Sequence, residues 1–168
     1  AMMMAVLNPF SLSSDYTIMF DEPFLGIKKF NQHEDVAFKI ITNDKTLIMQ
    51  KVMAPLFGRP NIPGFTVFQI ELPLSAAKWL VDGIENKLWK SAAQGGLPSG
   101  VRSHNEYVEG EELALYRQMH VEDENQKGFL LTNFSRKSLI RRGVNYQDFY
   151  LTDWMLIDGK LLDFLKTM

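Results

Sequence analysis

No cysteine occurs among the 168 residues. That excludes disulfide scaffolds, thiolate metal sites and thiol nucleophiles. No apolar run approaches the roughly 18 residues a membrane-crossing helix needs, so no membrane partner is expected. Neither charge dominates: 18 Lys and Arg against 20 Asp and Glu leave a net charge of −2. Global charge therefore points to neither nucleic acid nor membrane. The N-terminus, Ala1-Met2-Met3-Met4-Ala5-Val6-Leu7, has no basic region and stops being apolar at Asn8-Pro9, a poor signal peptide. Ala1 before Met2 reads as a cloning scar, and a cytoplasmic location is the default. No G-x-S-x-G elbow and no glycine-rich phosphate loop occurs. The three histidines, His33, His104 and His120, share no helical spacing. An enzyme, a metal and a cofactor are therefore not expected.

What is present suits a folded domain. Hydrophobic residues make up 46%, aromatics 12% and charged residues 23%, close to globular averages. The first half reads as strands at 15–20, 35–41, 46–53 and 65–72. The Thr42-Asn43-Asp44-Lys45 tetrad is a turn, because Asn and Asp bond locally to the backbone. Ser75 is positioned to cap a helix over about 75–91, with Ala77, Leu80, Val81, Ile84 and Leu88 on one stripe. Gly83 weakens that helix but permits close packing. Trp79 and Trp89 read as core or rim packing.

Residues 92–110 are Gly-rich and read as a loop between two β-rich halves, 15–91 and 111–168, of one domain. In the second half, 113–121 and 129–134 form a hairpin across the polar turn 122–128. The stretch 149–157 is β-prone, and Asp158-Gly159 signals a further hairpin. Residues 160–166 are open between a return strand and a short C-terminal helix. The expected class is α+β: antiparallel sheet with one main amphipathic helix.

Charge is segregated. Residues 106–124 carry seven acids and only Arg117 as a base, whereas 127–142 carry Lys127, Arg136, Lys137, Arg141 and Arg142 and no acid. Phe129, Phe134 and Tyr146 accompany those bases. Cations neutralise phosphates and exposed aromatics stack on unpaired bases. These eight residues are the candidate contacts for single-stranded nucleic acid. The alternatives are a protein-interaction or accessory protein of a mobile element, phage or immunity system, and a small-ligand binder or undetected enzyme.

The order of four strands and a helix over 15–90 resembles the ββββα unit of single-stranded nucleic-acid-binding domains of the PUR, Whirly and PC4 type. The matching pieces are Phe65–Leu72 running into Leu74–Leu80, and Leu115-Tyr116 through Gly128-Phe129-Leu130. The resemblance implies binding of single-stranded nucleic acid, with the basic and aromatic hairpin region as the contact. Finally, Phe149–Leu165 carries only Asp153, Asp158, Lys160 and Asp163 as charges. A surplus apolar face there predicts a homo-oligomer, with a dimer favoured.

Overall fold

The computed structural model describes residues 6–23, 37–55, 60–121 and 126–168. Strands β1 (Thr17–Pro23), β2 (Ala37–Thr42), β3 (Thr46–Met53) and β4 (Thr66–Pro73) are followed by α1 (Ala76–Asp82). Strands β5 (Ser103–Val108), β6 (Glu111–Gln118), β7 (Gly128–Asn133) and β8 (Gln147–Thr152) are followed by α2 (Asp153–Ile157) and α3 (Leu161–Leu165). Each set of strands is an antiparallel sheet in chain order. The fold is α+β, and strands followed by helix occur twice.

Local chemistry sets the turns. Asn43 Oδ1 accepts from the amides of Lys45 and Thr46, at 2.9 and 2.8 Å, and closes the β2–β3 hairpin. Glu109 and Gly110 both take positive φ, 48° and 80°. This two-residue turn suits the twist of β5 and β6. The Glu109 carboxylate accepts from the Ser75 hydroxyl, which ties the turn to the start of α1. Gly128 faces the β8 backbone so closely that a Cβ there would lie 2.0 Å from the Leu151 carbonyl oxygen.

Alternation divides each sheet into two faces. Phe38, Ile40, Leu47, Met49, Ile70 and Leu72 of the first sheet meet Leu113, Leu115, Phe129, Leu131, Phe149 and Leu151 of the second in one apolar core. Helix α1 adds Ala77, Leu80 and Trp79, while α2 and α3 add Met155, Leu156, Leu161 and Leu165. Beyond α1 the chain loosens into a π-helical turn, Gly83–Leu88. A Cβ on Gly83 would lie 3.2 Å from Leu115 and 3.3 Å from His104, so the small residue does let the helical segment pack on the second sheet. Trp79 stacks on His104 at 5.7 Å.

The outer face of the first sheet is covered by the N-terminal segment. The Leu7 amide donates to Gln69 Oε1, and Gln50 Nε2 donates to the Leu7 carbonyl. Val6 packs there with Val52, Ile62 and Val67. The free edge of β4 is closed by side-chain amides. Asn61 serves both peptide groups of Val67. Gln147 Oε1 accepts from the Glu71 amide at 2.8 Å, and Asn133 Nδ2 donates to the Glu71 carbonyl at 2.8 Å. Asn133 and Gln147 are register partners on β7 and β8, so one cross-strand pair clamps the backbone N–H and C=O of one residue of the other sheet.

Several expectations are corrected. The main helix spans 76–88 rather than 75–91, and Ser75 has helical φ and ψ with no side-chain cap bond, because its hydroxyl is engaged by Glu109. The 92–110 segment is not all loop: 103–108 is β5. Asp158-Gly159 turns no hairpin. Thr152 caps α2 by accepting from the Met155 amide, and Lys160, at φ 66°, leads into α3. The apolar C-terminal stretch is largely covered within the chain, where Phe149, Leu151, Met155, Leu156, Leu161, Leu162 and Leu165 are buried. The surplus face invoked for a dimer is therefore mostly occupied. The polar break at 31–34, the loop start at Gly58 and the turn residues 122–125 lie outside the described residues.

Asn133→Ala removes a donor from a carbonyl at the sheet junction, an unpaired group that costs about 1–3 kcal/mol. The thermal midpoint, followed by circular dichroism, is expected to fall by roughly 2–4 °C per kcal/mol lost. An unchanged midpoint contradicts the clamp.

Candidate nucleic-acid interface

Because Leu113, Leu115, Phe129, Leu131, Phe149 and Leu151 point into the core, their neighbours point out. The register aligns Ser103, Tyr116, Leu130 and Tyr150 in one row across the second sheet, and Asn105, Ala114, Thr132 and Asp148 in the next. Tyr107 pairs with Glu112 beside them. Tyr107 is 71% exposed and Tyr150 39%, while Ala114 and Thr132 form a buried floor. Tyr116 is half-buried. The result is a solvent-facing sheet surface bearing three tyrosines.

One end of this face is bordered by the β7–β8 connection. Phe134 and Tyr146 pack at 6.1 Å and are both exposed. The Arg141 guanidinium lies 5.6 Å from the Tyr146 ring centre and donates to Asp148 at 2.8 Å. Ser138 Oγ accepts from the amides of Ile140 and Arg141 and shapes the bend. Gln147 Nε2 donates to the Lys137 carbonyl.

Arg136 anchors the base of this connection. Its Nε and a terminal nitrogen donate to the two oxygens of Glu111, at 2.7 and 3.1 Å, and Glu71 lies 3.6 Å away. Burial alone would raise the Glu111 carboxyl. The bonds from Arg136 and Asn133, with the guanidinium charge, outweigh it and hold the group below its ordinary value. The bond to Glu111 holds Arg136 above its own, against the opposing effect of burial.

The eight residues expected at the site therefore separate. Phe134, Lys137, Arg141, Arg142 and Tyr146 share one exposed connection. Phe129 is fully buried in the core, with the Arg117 guanidinium 4.8 Å from its ring centre, so it offers no ring to a base. Arg136 is neutralised by two carboxylates rather than free for phosphate. Lys127 is exposed but precedes β7, at the opposite end of the strand and about 20 Å from the loop. Tyr107, Tyr116 and Tyr150 were missed. Tyr116 was within reach, since Leu113, Leu115 and Arg117 already defined the opposite face.

The face is of mixed charge, with Glu112 and Asp148 on the strands and Lys137, Arg141 and Arg142 in the connection. Among the described residues no three His, Asp or Glu side chains converge as a metal site, and no helix is long and apolar enough to cross a membrane. Comparison with protein-family models, curated proteins and solved structures finds no match.

The lowered Glu111 value makes a pH prediction. A depressed carboxyl contributes stability that is present above its unfolded value, near 4.5, and is lost as pH falls through the lower folded value. Glu111→Gln should lose stability at neutral pH and show a flatter acid limb when urea midpoints are measured from pH 7 down to about 3. Parallel profiles for the variant and the wild type contradict the assignment.

Proposed function

We propose that the chain is a non-enzymatic binding module for single-stranded nucleic acid. The outer face of the second sheet and the connection at 134–146 form the contact surface. The observation that carries the reading is a sheet face on which Tyr107 and Tyr150 are exposed and Tyr116 half-buried, with a connection holding Lys137, Arg141 and Arg142 at its end. Tyrosine offers a flat ring to any base, and the adjoining cations suit the backbone that links successive bases. The element order, four strands then helix in each half, supports the resemblance to PUR, Whirly and PC4-type domains. Fold analogy alone assigns no function, so the tyrosines carry the proposal.

The test is a fluorescence-anisotropy titration with a labelled single-stranded oligonucleotide of about 16 nucleotides, at low and at high salt. Binding is expected at low salt and should weaken as salt rises. Tyr107→Ala and Tyr150→Ala should each weaken it by about 1–3 kcal/mol, the worth of one stacked base. Arg142→Ala should reduce the salt slope by roughly 0.7, one phosphate contact on a single strand. No binding at low salt contradicts the proposal, because phosphate contacts are strongest there.

A further inference from the structure

We infer that Asp148 is an internal competitor of the ligand, a carboxylate that occupies Arg141 until a phosphate replaces it. The inference rests on the nucleic-acid reading above and concerns how that site is regulated. Asp148 lies on the outer face of β8, opposite Thr132, and its Oδ2 accepts from an Arg141 terminal nitrogen at 2.8 Å. A guanidinium recognises carboxylate and phosphate oxygens by the same charged hydrogen bonds, so the two acceptors exclude one another. The pair also holds Arg141 over the Tyr146 ring, at 5.6 Å from its centre, while Phe134 packs against the same tyrosine. A base that stacks on the face of Tyr146 under Arg141 must displace the guanidinium. The displaced guanidinium is then free for the phosphate next to that base, so one movement opens both contacts.

The pair is half-exposed, with side-chain exposures of 50% for Arg141 and 32% for Asp148. A surface ion pair of this kind is weak, which suits a contact that must open. The apparent affinity is reduced by the fraction of molecules in which the pair is open. Glu112 provides an internal control. It stands on the same face and, among the described residues, its carboxylate makes no hydrogen bond or ion pair.

The experiment measures affinity for labelled oligo-deoxythymidine and oligo-uridine in wild type, Asp148→Asn, Glu112→Gln, Arg141→Ala and the Arg141→Ala/Asp148→Asn double variant. Circular dichroism checks that each is folded. Asp148→Asn should bind both oligomers about two- to five-fold tighter, the worth of a surface ion pair. Glu112→Gln makes the same charge change without an arginine partner and should gain less. In the Arg141→Ala background the Asp148→Asn gain should vanish. The inference is overturned if Asp148→Asn binds like wild type, if Glu112→Gln gains as much, if the gain survives without Arg141, or if it is confined to one oligomer. Should Arg141→Ala bind too weakly to titrate, the comparison with Glu112→Gln decides. If wild type and every variant fail to bind, the nucleic-acid reading itself falls, which is distinct from a wild type that binds and an Asp148→Asn that matches it.

Discussion

The backbone N–H and C=O of Glu71 are the point on which the arrangement of the two sheets depends. Glu71 sits on β4, the last strand of the first sheet, where no further strand pairs with it. An unpaired peptide beside a core is costly, and an open edge invites pairing with another chain. Both problems have one solution here. Gln147 takes the amide hydrogen and Asn133 serves the carbonyl. Those two side chains are themselves buried and aligned by the β7–β8 register, so the edge of one sheet is fixed to the inner face of the other. Arg136, bridging Glu111 and Glu71, closes the same junction with charge.

That junction decides which sheet faces are covered. The clamp, the apolar core and the helices use the inner faces of both sheets. The outer face of the first sheet carries buried amides, Gln50 and Gln69, that hold the N-terminal segment against it. Among the described residues, the outer face of the second sheet exposes more side chain, with Tyr107 and Tyr150 standing above the buried Ala114 and Thr132. Two halves with the same element order thus differ: the outer face of the first is covered by its own chain, and that of the second carries exposed Tyr107 and Tyr150. Since Arg136 is fixed by the half-buried carboxylates of Glu71 and Glu111, the exposed connection after Asn133 leaves the sheet at a defined place, and its Arg141 reaches Asp148.

Much of the fold was legible because burial imposes periodicity. Strands β2, β3, β4 and β7 announce themselves through Val, Ile, Leu and Phe, and Asn43 marks their first turn. Strand β5 did not, because an edge strand has little to bury. In Ser-His-Asn-Glu-Tyr-Val only Ser103, His104 and Val108 are partly buried, and the histidine stacks on Trp79. Asp158-Gly159 misled because its turn chemistry serves helices as readily as strands. The decision came from Thr152, whose hydroxyl caps α2. Within the candidate site, local composition found the exposed connection but could not find Glu71 and Glu111, the acids that neutralise Arg136 from distant strands. Phe129 looked available because it shares its segment with basic residues from Lys127 to Arg142, yet alternation already placed it on the same face as Leu131.

The most direct test of the account is an amide ¹H–¹⁵N shift map of the protein titrated with a single-stranded oligonucleotide. The account predicts that shifts concentrate on Tyr107, Tyr116, Tyr150, Asp148 and the connection from Phe134 to Tyr146, while the amide of Glu71 and the outer face of the first sheet stay in place. Shifts centred on Gln50, Gln69 and the N-terminal segment, or no shifts at all, would contradict it.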